Sequence, residues 1–334
     1  MKQDNAPTMK DVAKEAGVAL GTVSKVINGI PVGEEYRKKV ENAIQKLNYE
    51  VNTYARGLKV NKSNIVTLII PDSINPFNAV FIHYIESALY EHRKFLTLCC
   101  SNGIVEKEVE YLNMAIQNQA DGVIALTYSD IGKHVSRNLP LVSFDRQFDN
   151  GFTPRIASDN FTGGVMATEK LIELGCKQPI FIRFSSSIVG EADKRLDGYL
   201  HACEKHNISP ILLDKRTDAD SYQCISEFIQ ANRGEDGSLT FDGIFANTDY
   251  HAHQACKILK NMGYLIPEEV QVIGFDGIHK FGFEHNELFV STICQPIDAL
   301  AKTCVDMVLK KDRSMLPSLT LLPVTYQYGG TTKA

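Results

Sequence analysis

Two hydrophobic rhythms divide the chain. From residue 8 to about 47 apolar side chains recur at helical spacing, whereas from about residue 64 short apolar runs alternate with longer amphipathic stretches. In the first part Met9, Val12, Ala13 and Ala16 share one helix face, and Val18, Val23, Val26 and Ile27 share a second. Val40, Ala43, Ile44 and Leu47 mark a third helix over about 34–47. Thr8 stands where it caps the first helix, with Asp11 reaching back toward the cap and the positive helix end. Gly17, four residues after the small Ala13, supplies the positive φ that a sharp inter-helix turn needs. Leu20, Gly21, Thr22, Ser24, Lys25 and Asn28 are left facing outward, a set suited to base edges and phosphates.

The second rhythm predicts strands at 65–70, 96–100, 122–126, 141–145, 179–184, 211–214, 243–247 and 270–276, with helical stretches between them. Such alternation implies parallel sheets covered by helices on both faces. Some 270 residues are too many for one sheet, so two doubly wound α/β lobes are expected. Ligands in this architecture sit outside the carboxyl ends of the strands. Those ends carry Asp72, Ser73, Asn75 and Phe77, then Ser101 and Asn102, then Asp145 and Arg146, and finally Asn247, Thr248, Asp249 and Asp276. Carboxylates, amides and an arginine beside an aromatic ring suit a hydroxyl-rich ligand with an apolar face. Asp72, Asp249 and Asp276 equally occupy positions where helix starts favour aspartate.

Charge separates the two parts. The whole chain is mildly acidic, with 35 Lys and Arg against 40 Asp and Glu, which alone argues against a nucleic-acid partner. Residues 1–62, however, hold eleven basic against seven acidic residues, a net +4, and the remainder is −9. A basic helical head on an acidic body is the asymmetry expected when one end meets phosphate.

The head is similar to that of the LacI/GalR family of bacterial transcription regulators, and the resemblance runs along nearly the whole chain. Its residues are Asp11-Val-Ala-Lys-Glu-Ala-Gly17-Val18, Thr22-Val-Ser-Lys-Val-Ile-Asn28 and Asn48-Tyr-Glu-Val-Asn52-Thr-Tyr54-Ala55-Arg56-Gly-Leu58. The resemblance implies a helix-turn-helix head over 1–49, a hinge helix and linker over 50–62, and a periplasmic-binding-protein-like body over 63–334. Its two lobes would comprise about 63–160 with 294–321, and 161–293 with 322–334. It implies DNA contacts from Thr8, Ala19, Leu20, Gly21, Thr22, Ser24, Lys25 and Asn28, and from Asn52, Tyr54, Ala55, Arg56, Leu58 and Lys59 in the hinge. Leu58 matches the leucine that wedges into the minor groove. Asp276 in Ile-Gly-Phe-Asp and Arg195 in Arg-Leu-Asp-Gly198 match effector-contacting residues, Asp145 and Asp249 match acids of the same cleft, and Ser73, Asn75, Phe77 and Arg146 follow by position. The effector would be a sugar, although some members bind purines or nucleosides.

Four departures stand out. Ala19 replaces the serine that opens the recognition helix, a lost cap costing roughly 1 kcal/mol. Gly21 lacks a base-reading side chain, Lys25 replaces an arginine and loses its bidentate fork, and Val51 replaces the hinge proline.

Catalysis finds no support in the sequence. It has no phosphate-binding glycine loop, no nucleophile elbow and no zinc-binding His-Glu-x-x-His, and His251 and His253 fall on different helix faces. No cofactor, metal or catalytic residue is expected. Eight cysteines without a Cys-x-x-Cys pair, and no signal peptide or long apolar span, place the chain in the bacterial cytoplasm. The expected protein is a homodimeric regulator on a pseudo-palindromic double-stranded operator, controlled by a small effector, with no membrane partner. A solute-binding protein without DNA function is the alternative, and the basic head speaks against it.

Overall fold

The computed structural model describes residues 7–49, 63–127, 129–184, 189–215, 220–278 and 290–334. The chain divides into two compact units at Ser63–Asn64.

In the first unit, α1 (Met9–Ala16), α2 (Leu20–Ile27) and α3 (Glu34–Lys46) enclose a small core. Val12, Val23 and Val40 are fully buried at its centre, with Ala13, Ala16, Ala43 and Tyr49 around them. α1 starts where its capping chemistry dictates, because the Asp11 carboxylate accepts both the Thr8 backbone N–H (2.8 Å) and the Thr8 hydroxyl (2.6 Å). It ends at Gly17, whose φ of +62° turns the chain so that the Val18 N–H reaches the Ala13 carbonyl at 3.1 Å. α2 starts at Ala19 with no side-chain cap, as the departure from serine foretold.

The second unit contains two six-stranded sheets. Lobe one holds β1 (Ile65–Ile70), β2 (Phe95–Cys100), β3 (Gly122–Ala125), β4 (Leu141–Phe144), β5 (Arg155–Ser158) and β11 (Leu319–Leu322), ordered β2-β1-β3-β4-β5-β11 and all parallel. α4 (Pro76–Glu91) and α10 (Ile297–Leu309) cover one face, and α5 (Val105–Gln117) covers the other. Lobe two repeats the scheme with β6 (Pro179–Phe184), β7 (Leu212–Lys215), β8 (Gly243–Ala246), β9 (Gln271–Asp276), β10 (Ser291–Cys294) and β12 (Thr325–Gln327), ordered β7-β6-β8-β9-β10-β12. Only β12 runs antiparallel. Its faces carry α6 (Asn160–Glu173) with α7 (Lys194–Lys205), and α8 (Ser221–Ala231) with α9 (Asp249–Asn261). Burial on both faces explains why Val66–Ile70 is apolar but for the buried Thr67.

Among the described residues the chain crosses between lobes three times: after β5, after β10 and after β11. In each lobe the strand order reverses beside the first strand, so the switch points lie at the carboxyl ends of β1 and β3 and of β6 and β8.

α6 and α7 meet almost backbone to backbone. A Cβ on Gly198 would lie 2.3 Å from the Phe161 carbonyl oxygen, and one on Gly164 would lie 2.3 Å from that of Arg195. That close approach is what the Arg-Leu-Asp-Gly spacing provides, and it fixes Arg195 at the start of α7.

Candidate functional site

The outward face of the head is α2 and its flanks. Ala19, Leu20, Gly21, Lys25 and Asn28 are exposed, while Thr22 and Ser24 are half-buried. Asn28 is partly committed, since its amide donates to the Ser24 carbonyl at 2.7 Å. Thr8 is exposed, but its hydroxyl hydrogen is spent on Asp11, whose carboxyl these bonds hold below its usual range. On α3, Lys38, Lys39 and Arg37 pair with Glu34, Glu35 and Glu41, and Lys46 pairs with Glu15. Among the described residues Lys10, Lys14 and Lys25 make no ion pair. The uncompensated positive charge of the described head therefore sits on α1 and α2. Asn52, Tyr54, Ala55, Arg56, Leu58 and Lys59 lie outside the described residues.

In the body, six of the eight effector candidates line one cleft of about 680 Å³: Asn75, Phe77, Asp145, Arg146, Arg195 and Asp276. Residues at the carboxyl ends of β1, β3, β4, β6, β8 and β9 contribute to it, so both switch points open into the same space. Arg195 is buried, with its guanidinium 3.7 Å from the centroid of the Phe275 ring. Its Nε donates to Asn160 Oδ1 (2.7 Å), its Nη1 donates to the Asn247 carbonyl (2.5 Å), and Nη1 lies 3.6 Å from Asp276 Oδ1. Arg146 is buried too, and its Nε donates to the Thr127 carbonyl at 3.0 Å.

Both cleft acids have left-handed backbones, with φ of +61° at Asp145 and +124° at Asp276. Non-glycine residues held there are strained, and such strain collects at functional positions. Burial pushes both carboxyls up to about 6, against the pull of Arg195 on each. The lobes also touch beside the cleft. The Glu191 N–H donates to the Asp145 carbonyl (2.9 Å), the Ala192 N–H donates to Asp145 Oδ2 (3.3 Å), and Arg155 pairs with Glu191 at 3.1 Å.

Two expected effector residues stand elsewhere. Ser73 is exposed and does not line the cleft, because Asp72 Oδ1 draws the Ile74 and Asn75 N–H groups into a tight turn around it. Asp249 is fully buried behind the cleft. Its Oδ2 accepts the Gly277 and Ile278 N–H groups (2.8 and 3.0 Å), and its Oδ1 accepts the Thr292 hydroxyl (2.5 Å). Asp249 thus holds the backbone that follows Asp276 and offers no free oxygen to a ligand. Conversely, the sequence did not single out Thr127, Arg183, His251 or Gln295, all of which line the cleft. Arg183 spends its Nε and one N–H of each Nη on a bidentate pair with Asp214 and a bond to Asp193. His251 stands out in the sequence only beside His253 as a poor metal pair, and Gln295 follows β10, whose Ser-Thr-Ile-Cys carries no apolar strand pattern.

Comparison with known proteins fixes the family. Residues 8–52 match the model of bacterial regulatory proteins of the lacI family, and residues 168–332 match a periplasmic binding protein-like domain. The ribose operon repressor of Halalkalibacterium halodurans is 32% identical over 306 residues, covering 91% of this chain and 90% of that one. The chain belongs to the LacI family. Its members are DNA-binding transcription regulators, not enzymes. The sucrose operon repressor of Streptococcus mutans is likewise 32% identical, over 95% of this chain and 96% of its own length. A crystal structure of the lac repressor dimer, bound to operator and the anti-inducer ONPF, shares the fold with a TM-score of 0.83. It covers 99% of this chain and 100% of that one at 22% identity. As in that fold, a helix-turn-helix head accompanies two lobes built on parallel sheets.

Proposed function

We propose that this LacI-family protein is a homodimeric repressor of a pseudo-palindromic operator, released or recruited by a sugar bound in the cleft of its body. The observation that carries the sugar reading is the meeting of Asp145, Arg146, Arg195, Asn247, Asp276 and Gln295 in one cleft, drawn from both lobes. Carboxylates accept ligand hydroxyls while guanidinium and amide groups donate to them, and Phe77 and Phe144 cover an apolar ring face. Operator and sugar named for relatives agree with this reading.

Dimerisation has its own support. β2 is an edge strand whose Phe95 is 72% exposed, and Tyr90 near the end of α4 is 76% exposed. An apolar sheet edge left in water is a liability that pairing removes. One head also spans only a half-site, so two-fold pairing supplies the second. Effector binding would close the lobes, change how they pair across the dimer, and so set whether the hinge segment 50–62 engages DNA, with Leu58 as wedge.

A thermal-shift screen of the protein against sugars and nucleobases identifies the effector, since a ligand of the native state raises the melting temperature. Gel shifts on genomic fragments, with and without each hit, test the switch. Stabilisation by sugars with an altered gel shift is the expected result. Stabilisation by nucleobases alone would overturn the sugar, and no DNA retention would overturn the repressor.

A further inference from the structure

We propose that the cleft takes a two-ring glycoside, with one sugar ring on its polar floor and the second ring on apolar tracks that lead outward. This rests on the sugar reading above and narrows it. In lobe one the track begins at Phe144 and Phe77, both buried, with ring centroids 5.8 Å apart. It continues through Pro76 to Ile74, which lines the cleft yet is 89% exposed. In lobe two the half-buried Phe184 lies 4.8 Å from the ring of His251, and His251 lies 5.4 Å from that of Tyr250, which is 54% exposed. All of these residues line the same cleft.

A single exposed isoleucine on a protein surface means nothing. Two apolar runs, one per lobe, each leading from a buried or half-buried ring to an exposed tip inside one cavity, do. A lone monosaccharide satisfies the floor and leaves both tracks wet. The tracks offer flat apolar surface and no charge. The His251 ring stays neutral, because burial drives its pKa down to about 4, and its Nδ1 is held by Thr248 Oγ1 (2.8 Å) and Asn247 Oδ1 (3.1 Å). Such surface suits the C–H face of a second sugar or the face of an aryl aglycone. At about 680 Å³ the cleft has the size of pockets that enclose drug-sized ligands.

The test is calorimetry on the full chain with matched probes: methyl and phenyl glycosides of glucose, galactose, fructose, ribose and xylose, and disaccharides built on the same sugars. For at least one sugar, a two-ring probe should bind about tenfold or more tighter than the methyl glycoside, as expected from burying one ring. The stronger of the phenyl and disaccharide arms names the natural second ring. Tyr250→Ala and Ile74→Ser should each shrink that ratio toward one. Methyl glycosides binding as tightly as every two-ring probe would overturn the inference and leave the sugar reading intact. A ratio unchanged in both variants would overturn the tracks. Silence from all probes would overturn the sugar reading itself.

Discussion

Gln295 donates its side-chain amide to Asp276 Oδ1 at 2.8 Å, and its own oxygen accepts the Ser158 hydroxyl at 2.7 Å. Asp276 ends β9 in lobe two, Ser158 ends β5 at the first crossing, and Gln295 stands on the second crossing. One amide therefore ties a cleft acid to two of the three segments on which the lobes are joined.

Gln295→Leu removes both bonds at nearly constant volume. A hydrogen bond to a charged group contributes about 1.5–3 kcal/mol to the stability of the effector-free body, so the melting temperature should fall, and the Asp276 carboxylate, no longer held, should bind effector less tightly. Melting curves and calorimetry with the effector check this, and an unchanged Kd would show that the bond does not hold Asp276 for the effector.

Asp249 and Asp276 should fail differently. Asp249→Ala strands two buried N–H groups and the Thr292 hydroxyl, a loss of about 3 kcal/mol or more seen as a lower melting temperature before any ligand is added. Asp276→Ala should abolish the effector response while leaving DNA retention largely intact. Melting curves and gel shifts separate the two, and matching phenotypes would refute the division into supporting and contacting acids.

Gly198→Ala places a methyl 2.3 Å from the Phe161 carbonyl oxygen, where only backbone movement relieves the clash. Overpacking of this kind costs about 1–3 kcal/mol, and the displaced α7 carries Arg195 away from Asn160 and Phe275. Both the melting temperature and effector affinity should drop.

Why the sequence disclosed some of this and hid the rest is a matter of burial chemistry. β1 and β6 read as apolar runs broken only by Thr67 and Arg183, because both faces are covered, and their bounds match the expected 65–70 and 179–184. β10 is just as buried but reads Ser-Thr-Ile-Cys. Its hydroxyls are affordable inside because Ser291 bonds Thr332 and Thr292 bonds Asp249, partners that no local pattern reveals. With β10 unseen, Gln295 at its end went unseen too. β5 (Arg-Ile-Ala-Ser) and β12 (Thr-Tyr-Gln) are short and half polar, without the apolar run that marks the equally short β3 and β8. Asp249 matched a cleft acid by position, yet the direction of its side chain depends on the Gly277 backbone, which lies 28 residues away.

The cleft acids make effector binding sensitive to pH. Folding raises the carboxyls of Asp145 and Asp276 from 3.8 to about 6, with burial as the leading cause. Between about pH 4 and 6 the folded chain therefore holds more protons than the unfolded one, and these two groups make the effector-free body lose stability as pH rises through that window. Sugar hydroxyls donate best to ionised carboxylates, so affinity should rise through the same window with release of protons. Calorimetry in buffers of different ionisation heat reads both effects, and Asp276→Asn should flatten them. Constant affinity from about pH 5 to 7 would remove these acids from the contact set.

Salt dependence tests the head. Cations on α3 already face Glu34, Glu35 and Glu41, whereas Lys10, Lys14 and Lys25 are unpaired among the described residues. Only cations free to replace counterions contribute to the slope of log affinity against log salt, by about 0.9 for each phosphate neutralised. Lys25→Gln should thus lower the magnitude of that slope by about 1 per head, and therefore about 2 for a dimer on both half-sites. Lys39→Gln removes the same formal charge, but from a pair at 2.7 Å with Glu35, and should change the slope far less. Ala19→Ser restores a cap worth about 1 kcal/mol of helix stability and should tighten binding without altering the slope. Equal slopes for Lys25→Gln and Lys39→Gln in filter-binding titrations would mean that α2 is not the face that meets phosphate.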